Sequence, residues 1–266
     1  MPEGLRGGVP VHWRVAGTGG RRAILAHCSL AHSGAWKGVI ERLAARFSIV
    51  AFDLPGHGRS ADWDGSVPLQ DLVVAIARDF RDEAPDPVDL IGHSFGATSL
   101  LRLAAEAPER VRSLTLIEPP FYAAAETSPE IVAQRGADSD FEDAWARGDR
   151  VAAARAFSDG WGNGTPWDEL PEATRNYMVD RIHLICGSGW VINADRACLL
   201  ARGALEELMV PVLLLEGAMS PPVIRAVMDA LEARLPDVRR VVVPGAGHML
   251  PITHPEPVAE AIAALV

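Results

Sequence analysis

Cysteine is scarce in this chain of 266 residues, with only Cys28, Cys186 and Cys198 present. An odd number, with no metal-ligand spacing, excludes a disulfide framework and a zinc site, so no metal is expected. Positive charge is also short. Twenty-five Lys and Arg face 35 Asp and Glu, a formal net charge of -10. That balance repels phosphate backbones and argues against nucleic acid as a partner; its plainest consequence is solubility. No run of about 18 apolar residues is available to span a bilayer. Residues Met1 to Pro10 lack the apolar centre of a secretory signal. The chain also lacks internal repeats and low-complexity segments. A cytoplasmic protein, with no membrane and no nucleic acid as partner, is the expectation.

What is present is a globular composition, 48% hydrophobic and 23% charged, in a length that suits one α/β domain with an insertion. Short apolar runs read as strands: 23–26, 49–52, 88–91, 114–117, 212–215 and 240–243. Runs this apolar suit strands covered on both faces, as in a parallel sheet. Between them, Leu69, Leu72, Val73, Ile76 and Phe80 follow helical spacing, as do Ile224, Val227, Met228, Leu231 and Leu235. Alternating strands and helices imply a mostly parallel sheet flanked by helices, with sites at the carboxyl ends of the strands.

Residues 121–208 break the alternation. They contain helical patches separated by Gly, Pro and Trp, and are read as a helical insertion over a core formed by 1–120 and 209–266. Trp145, Trp161, Trp167, Tyr177 and Trp190 fall there. Such aromatics form the insertion's own small core or line a substrate pocket, and both fates are expected, core more often. Trp161 and Trp190 are the candidates for the pocket wall.

The segment 88–97 reads as strand, tight turn and helix start, and it carries G-x-S-x-G as Gly92, Ser94 and Gly96. A serine on such a turn is held in a strained backbone that lifts its hydroxyl above the sheet. Glycine is required on either side because side chains there would collide with the adjoining strand and helix. The motif alone also arises by chance as a small-residue turn; its place between an apolar strand and a helix is what makes it informative. The N–H of Phe95, at the helix start, faces any negative charge forming near Ser94.

A base for Ser94 must reach over the strand ends, and the loop Gly245-Ala246-Gly247-His248 after the last strand can deliver an imidazole there. His254, next to Pro255, suits a cap or a surface position instead. After the strand at 23–26, the turn His27-Cys28-Ser29 should supply a second oxyanion N–H, that of Ser29. His27 is a candidate for the substrate side of that turn, or a buried, hydrogen-bonded shaping residue.

His27-Cys28-Ser29 with Trp36, the stretch Asp53 to Ser60, Gly92 to Gly96 and Gly245 to His248 together resemble the α/β-hydrolase family, from about residue 10 to the C-terminus. Cys28 departs from the glycine usual after this histidine. The resemblance implies an α/β-hydrolase fold with a helical cap, and it makes Asp53 to Ser60 a structural turn without chemistry for His57 or Arg59. It also implies a third residue, a carboxylate. The family commonly places an aspartate after the strand at 212–215, but Gly217-Ala218-Met219-Ser220 stands there. A second location within the fold, after the strand following the nucleophile helix, holds Glu118. Pro119 biases Glu118 towards extended backbone, and a carboxylate so near a buried strand needs a partner such as His248. A glutamate that merely reaches solvent is the competing reading, and Glu216 is the fallback acid, ahead of Asp195 and Asp237.

These residues point to acyl transfer to water without a cofactor. Ser94 is the nucleophile, His248 its base, Glu118 the acid, and Phe95 and Ser29 the oxyanion donors. A small carboxylic ester is the expected substrate, with thioesters and lactones close behind. A carbon–carbon bond hydrolase would use the same residues plus a cationic clamp, for which Arg135, Arg155, Arg175 and Arg181 are candidates. A non-catalytic ligand-binding homologue is the alternative from another class, favoured by the missing aspartate. Epoxide hydrolases and haloalkane dehalogenases are disfavoured, because they carry aspartate where Ser94 stands.

Overall fold

A computed structural model describes residues 2–266, apart from the side chains of residues 190–192. The chain begins with two strands, β1 (Glu3–Arg6) and β2 (Val9–Ala16), then β3 (Arg21–Ala26), α1 (Lys37–Leu43), β4 (Phe47–Phe52) and α2 (Leu69–Asp82). There follow β5 (Val88–His93), α3 (Phe95–Glu106) and β6 (Val111–Ile117). Five helices occupy the next stretch: α4 (Pro129–Ala137), α5 (Ser139–Ala146), α6 (Arg150–Trp161), α7 (Glu172–Arg181) and α8 (His183–Ala194). The chain then returns through β7 (Val212–Gly217), α9 (Pro222–Glu232) and β8 (Val238–Val243), and ends in α10 (Leu250–Thr253) and α11 (Pro255–Leu265).

The eight strands form one sheet in the order β1-β2-β4-β3-β5-β6-β7-β8. β2 runs antiparallel to β1 and β4, and all pairs from β4 to β8 are parallel. This is the α/β-hydrolase fold. The runs at 23–26, 49–52, 88–91, 114–117 and 212–215 are central strands buried on both faces, whereas the run at 240–243 falls in the edge strand β8, where Val242 is exposed. In β3, Ile24 and Ala26 join the core on one face, with Ala23 and Leu25 on the other. In β7, Val212 and Leu214 alternate in the same way with Leu213 and Leu215. Pleating sends successive side chains to opposite faces, so a strand covered on both sides is apolar on both, with few and paired exceptions such as Asp89 in β5, which bonds Arg21 and Ser113. Each fully buried Leu or Ile contributes roughly 1.5–3 kcal/mol. α2, α3 and α9 cover one face, and α1 and α11 the other.

β1 and β2 lie outside the reading of apolar runs. β1 is the edge strand and β2 lies between it and β4, and both have burial patterns too mixed to stand out. Among the described residues, no helix is long and apolar enough to cross a membrane.

Candidate active site

Ser94 follows β5 directly, with φ 54° and ψ -123°, a conformation that costs a non-glycine residue of order 1–3 kcal/mol. Its N–H donates to Ile117 O at 2.8 Å, tying the turn to the end of β6. A β-carbon on Gly92 would strike the backbone of Ala97, and one on Gly96 the carbonyl oxygens of Ala26 and His27. The turn is therefore tight because α3 begins against both β5 and the end of β3. The N–H of Leu30 is taken by His57 Nε2 at 3.0 Å. Those of Ser29 and Phe95 have no partner among the described hydrogen bonds, and both residues border the same cavity as Ser94.

His248 follows β8 on the glycine loop, and its Nδ1 lies 3.0 Å from Glu118 Oε2. Glu118 is fully buried, directly after β6. Its other oxygen, Oε1, accepts from Gly217 N–H and from the Ser220 hydroxyl, both at 2.7 Å. Ser220, where an aspartate is expected, thus donates its hydroxyl to the Glu118 carboxylate. Glu118 has φ 53°, not the extended backbone inferred from Pro119. Its N–H still bonds Leu215 O at 3.0 Å, and the chain turns out of the sheet at that point; the carboxylate's bonds to its three partners offset the strain. Glu216 is occupied elsewhere: its Oε1 pairs with Arg240 at 2.8 Å, and burial, partly countered by Arg240, raises its pKa. Asp195 accepts from the N–H groups of Leu199 and Leu200.

His93 Nε2 donates to His248 O at 2.8 Å, which anchors the histidine loop to the elbow. Burial and the neighbouring His248 ring push the His93 pKa well below its ordinary value. No hydrogen bond joins Ser94 to His248 among the described residues; the two side chains border one cavity. The Trp161 ring, at the end of α6, packs on the His248 ring with centroids 4.8 Å apart.

His27 does not border the cavity, which corrects its assignment to the substrate side. Its Nδ1 lies 2.7 Å from Cys28 O and its Nε2 accepts from Leu54 N–H at 2.9 Å, so both ring nitrogens are spent on the turn. Burial lowers its pKa to about 3, and that of His57 to about 4. Both are neutral scaffolding. Cys28 does border the cavity, but burial pushes its thiol up to about 12, so it is no thiolate. His254 starts α11 without a capping bond from its side chain.

The cavity measures about 1060 Å³. Trp145, Trp161 and Tyr177 line it from the 121–208 segment, whereas Trp167 sits in that segment's own small core with Ala153 and Ile182. The side chain of Trp190 lies outside the described residues. Of the candidate clamps, Arg155 pairs with Asp168, Arg175 bonds Asp168 O, and Arg181 lies over the Tyr177 ring. None of these three, nor Arg135, borders the cavity.

Sequence reasoning missed a cluster on the opposite wall. Asp53 Oδ1 accepts from Ser33 N–H at 2.6 Å, and Oδ2 accepts from Arg59 N–H at 2.9 Å and faces His12 Nδ1 at 3.0 Å. Burial alone would raise its pKa; the hydrogen bonds from Ser33 and Arg59 outweigh that and lower it. Arg14 borders the cavity beside this group. Because β2 was not legible as a strand, nothing in the sequence placed His12 and Arg14 near the site. No group of three or more His, Cys, Asp or Glu among the described residues is arranged to hold a metal ion.

The sequence pattern described as "Alpha/beta hydrolase family" matches residues 23–261. A pimeloyl-[acyl-carrier protein] methyl ester esterase of Yersinia pseudotuberculosis is 28% identical over 261 residues, 95% of each chain. Among solved structures, an alpha/beta hydrolase from Sphaerobacter thermophilus superposes with a TM-score of 0.74 at 21% identity, over 99% of each chain. Carboxylesterase CesB from Bacillus subtilis gives 0.67 at 20% identity, over 97% of this chain and 87% of its own.

Proposed function

The chain belongs to the alpha/beta hydrolase family, and from that membership we propose that it is a serine esterase working through an acyl-enzyme on Ser94. The observation that carries this reading is the buried Glu118 carboxylate 3.0 Å from His248 Nδ1, on a cavity that His248 shares with the strained Ser94. The named activities of the Yersinia esterase and of CesB support ester cleavage as the reaction class.

Glu118 accepts the Nδ1 proton, which leaves Nε2 of neutral His248 as the base. His248 takes the proton of Ser94 Oγ as that oxygen attacks the ester carbonyl. The tetrahedral oxyanion is met by the N–H groups of Phe95 and Ser29, which have no partner among the described hydrogen bonds. The proton passes to the departing alkoxide, and the alcohol leaves. Water, deprotonated by the same base, then attacks the acyl-enzyme and releases the acid. Residues 121–208 act as a cap whose Trp145, Trp161 and Tyr177 shape the bound substrate. A cavity of about 1060 Å³ suits an ester with a long or substituted chain.

The test is hydrolysis of p-nitrophenyl esters of increasing acyl length by the wild type and Ser94→Ala. Turnover that peaks at one length and disappears in the variant supports the proposal. Full activity in Ser94→Ala ends the serine-nucleophile reading, and inert esters at every length favour carbon–carbon cleavage or ligand binding without catalysis.

A further inference from the structure

The cavity wall opposite the cap carries a cation that the reaction does not use. Arg14 projects from β2, is half-buried, and borders the cavity. Its Nε donates to Ser33 Oγ at 3.0 Å, and Ser33 N–H donates in turn to Asp53 Oδ1, so the guanidinium is anchored at one edge. Its terminal nitrogens make no hydrogen bond or ion pair among the described residues. The other arginine on this wall, Arg59, pairs with Glu3 at 3.3 Å.

Nearby acids do not compete for Arg14. Asp53 is already met by Ser33, Arg59 and His12, as described above. Glu41, in a smaller hollow of about 460 Å³ that also borders Arg14, makes no ion pair with it. A partly desolvated guanidinium with free donors is costly unless an acceptor arrives, and its planar fork matches a carboxylate with two parallel bonds.

The route from this cation to the nucleophile is continuous. Cys28, Ser29, Leu30, Ala31 and His32 all border the cavity, and they run from the oxyanion turn to the Ser33 that holds Arg14. A substrate whose carbonyl sits on Ser94 and Ser29 can therefore lie along this strip with its far end on Arg14. One guanidinium matches one monoanion.

The geometry points to Arg14 as the binding group for a carboxylate at the far end of the substrate's acyl chain, which makes the substrate a monoester of a dicarboxylic acid. This inference rests on the esterase reading and adds its substrate class. Arg14 is a specificity residue: it touches the end of the substrate that does not react.

The experiment compares methyl monoesters of linear dicarboxylic acids of increasing length with methyl alkanoates of equal length, followed by release of methanol. In the wild type, kcat/KM for the carboxylate-bearing ester exceeds that of its neutral counterpart by about tenfold or more at one optimal length, as a charge-assisted bond implies. That ratio falls towards one in Arg14→Gln and stays above one in Arg14→Lys. The wild-type ratio does not depend on how the variants fold. A ratio near one at every length in the wild type overturns the inference, and so does an undiminished ratio in Arg14→Gln. Both outcomes leave the esterase standing if p-nitrophenyl esters are still cleaved through Ser94. Inert esters of every kind would overturn the esterase reading and this inference with it.

Discussion

Replacing Glu118 with glutamine changes one atom in a site whose hydrogen bonds dictate where that atom goes. Oε1 is met by two donors, Gly217 N–H and Ser220 Oγ–H, each at 2.7 Å. The new side-chain amide must keep its carbonyl oxygen there, because an NH2 group would face the Gly217 N–H donor to donor. Its NH2 group therefore lands at the Oε2 position, 3.0 Å from His248 Nδ1 in the native protein. A donor at that position selects the tautomer with the proton on Nε2, and that tautomer cannot accept the Ser94 proton. The loss expected for a wrong-tautomer histidine is about 10⁴ in kcat, or about 5.5 kcal/mol of transition-state stabilisation. The residue volume barely changes, so the thermal midpoint should move little. The assay is kcat and KM on the best p-nitrophenyl ester, with a melting curve beside it. A Glu118→Gln enzyme that keeps more than a tenth of wild-type kcat would refute the reasoning. The hydrogen bond to His248 would then be structural only.

Ser220→Ala removes one of the two donors on Oε1, so the carboxylate is less well held and its charge acts more strongly on the histidine. We expect a fall in kcat of up to about tenfold and an upward shift in the acid limb of the pH profile, with KM little changed; an unaltered profile would leave Ser220 without a positioning role. A second expectation concerns pH and stability. His27 and His57 have folded-state pKa values of about 3 and about 4, held below 6.5 chiefly by burial, so the unfolded chain takes up protons first as pH falls. Their stabilisation is complete above pH 6.5 and is lost progressively below it, with about 2 kcal/mol withdrawn per histidine at pH 5. Urea midpoints at pH 7.5 and pH 5 measure this, and a midpoint that does not drop would contradict the neutral, doubly bonded imidazoles.

Local chemistry in the sequence determined much of this protein. Strands buried on both faces must be largely apolar, so β3 to β7 stand out as runs. The elbow is legible because only glycine fits where α3 meets β3 and β5. His248 is legible because a glycine loop after the last strand can carry an imidazole over the strand ends. The resemblance to the family makes Glu118 the expected acid, but Glu216 sits beside it across β6 and β7, in the register that pairs Ile117 with Leu215. Only tertiary structure separates the two. Glu118 leaves the sheet with a positive φ and turns to His248, while Glu216 stays in the extended strand and is paired with Arg240 of β8. The same limit hid His12 and Arg14. They sit on β2, whose mixed pattern carries no periodic signal, and they reach the cavity because β2 pairs antiparallel with β4. Spacing along a chain reports which face a residue occupies on its own element. Which partner meets that face depends on strand register and on the turns between elements, and those are settled by packing.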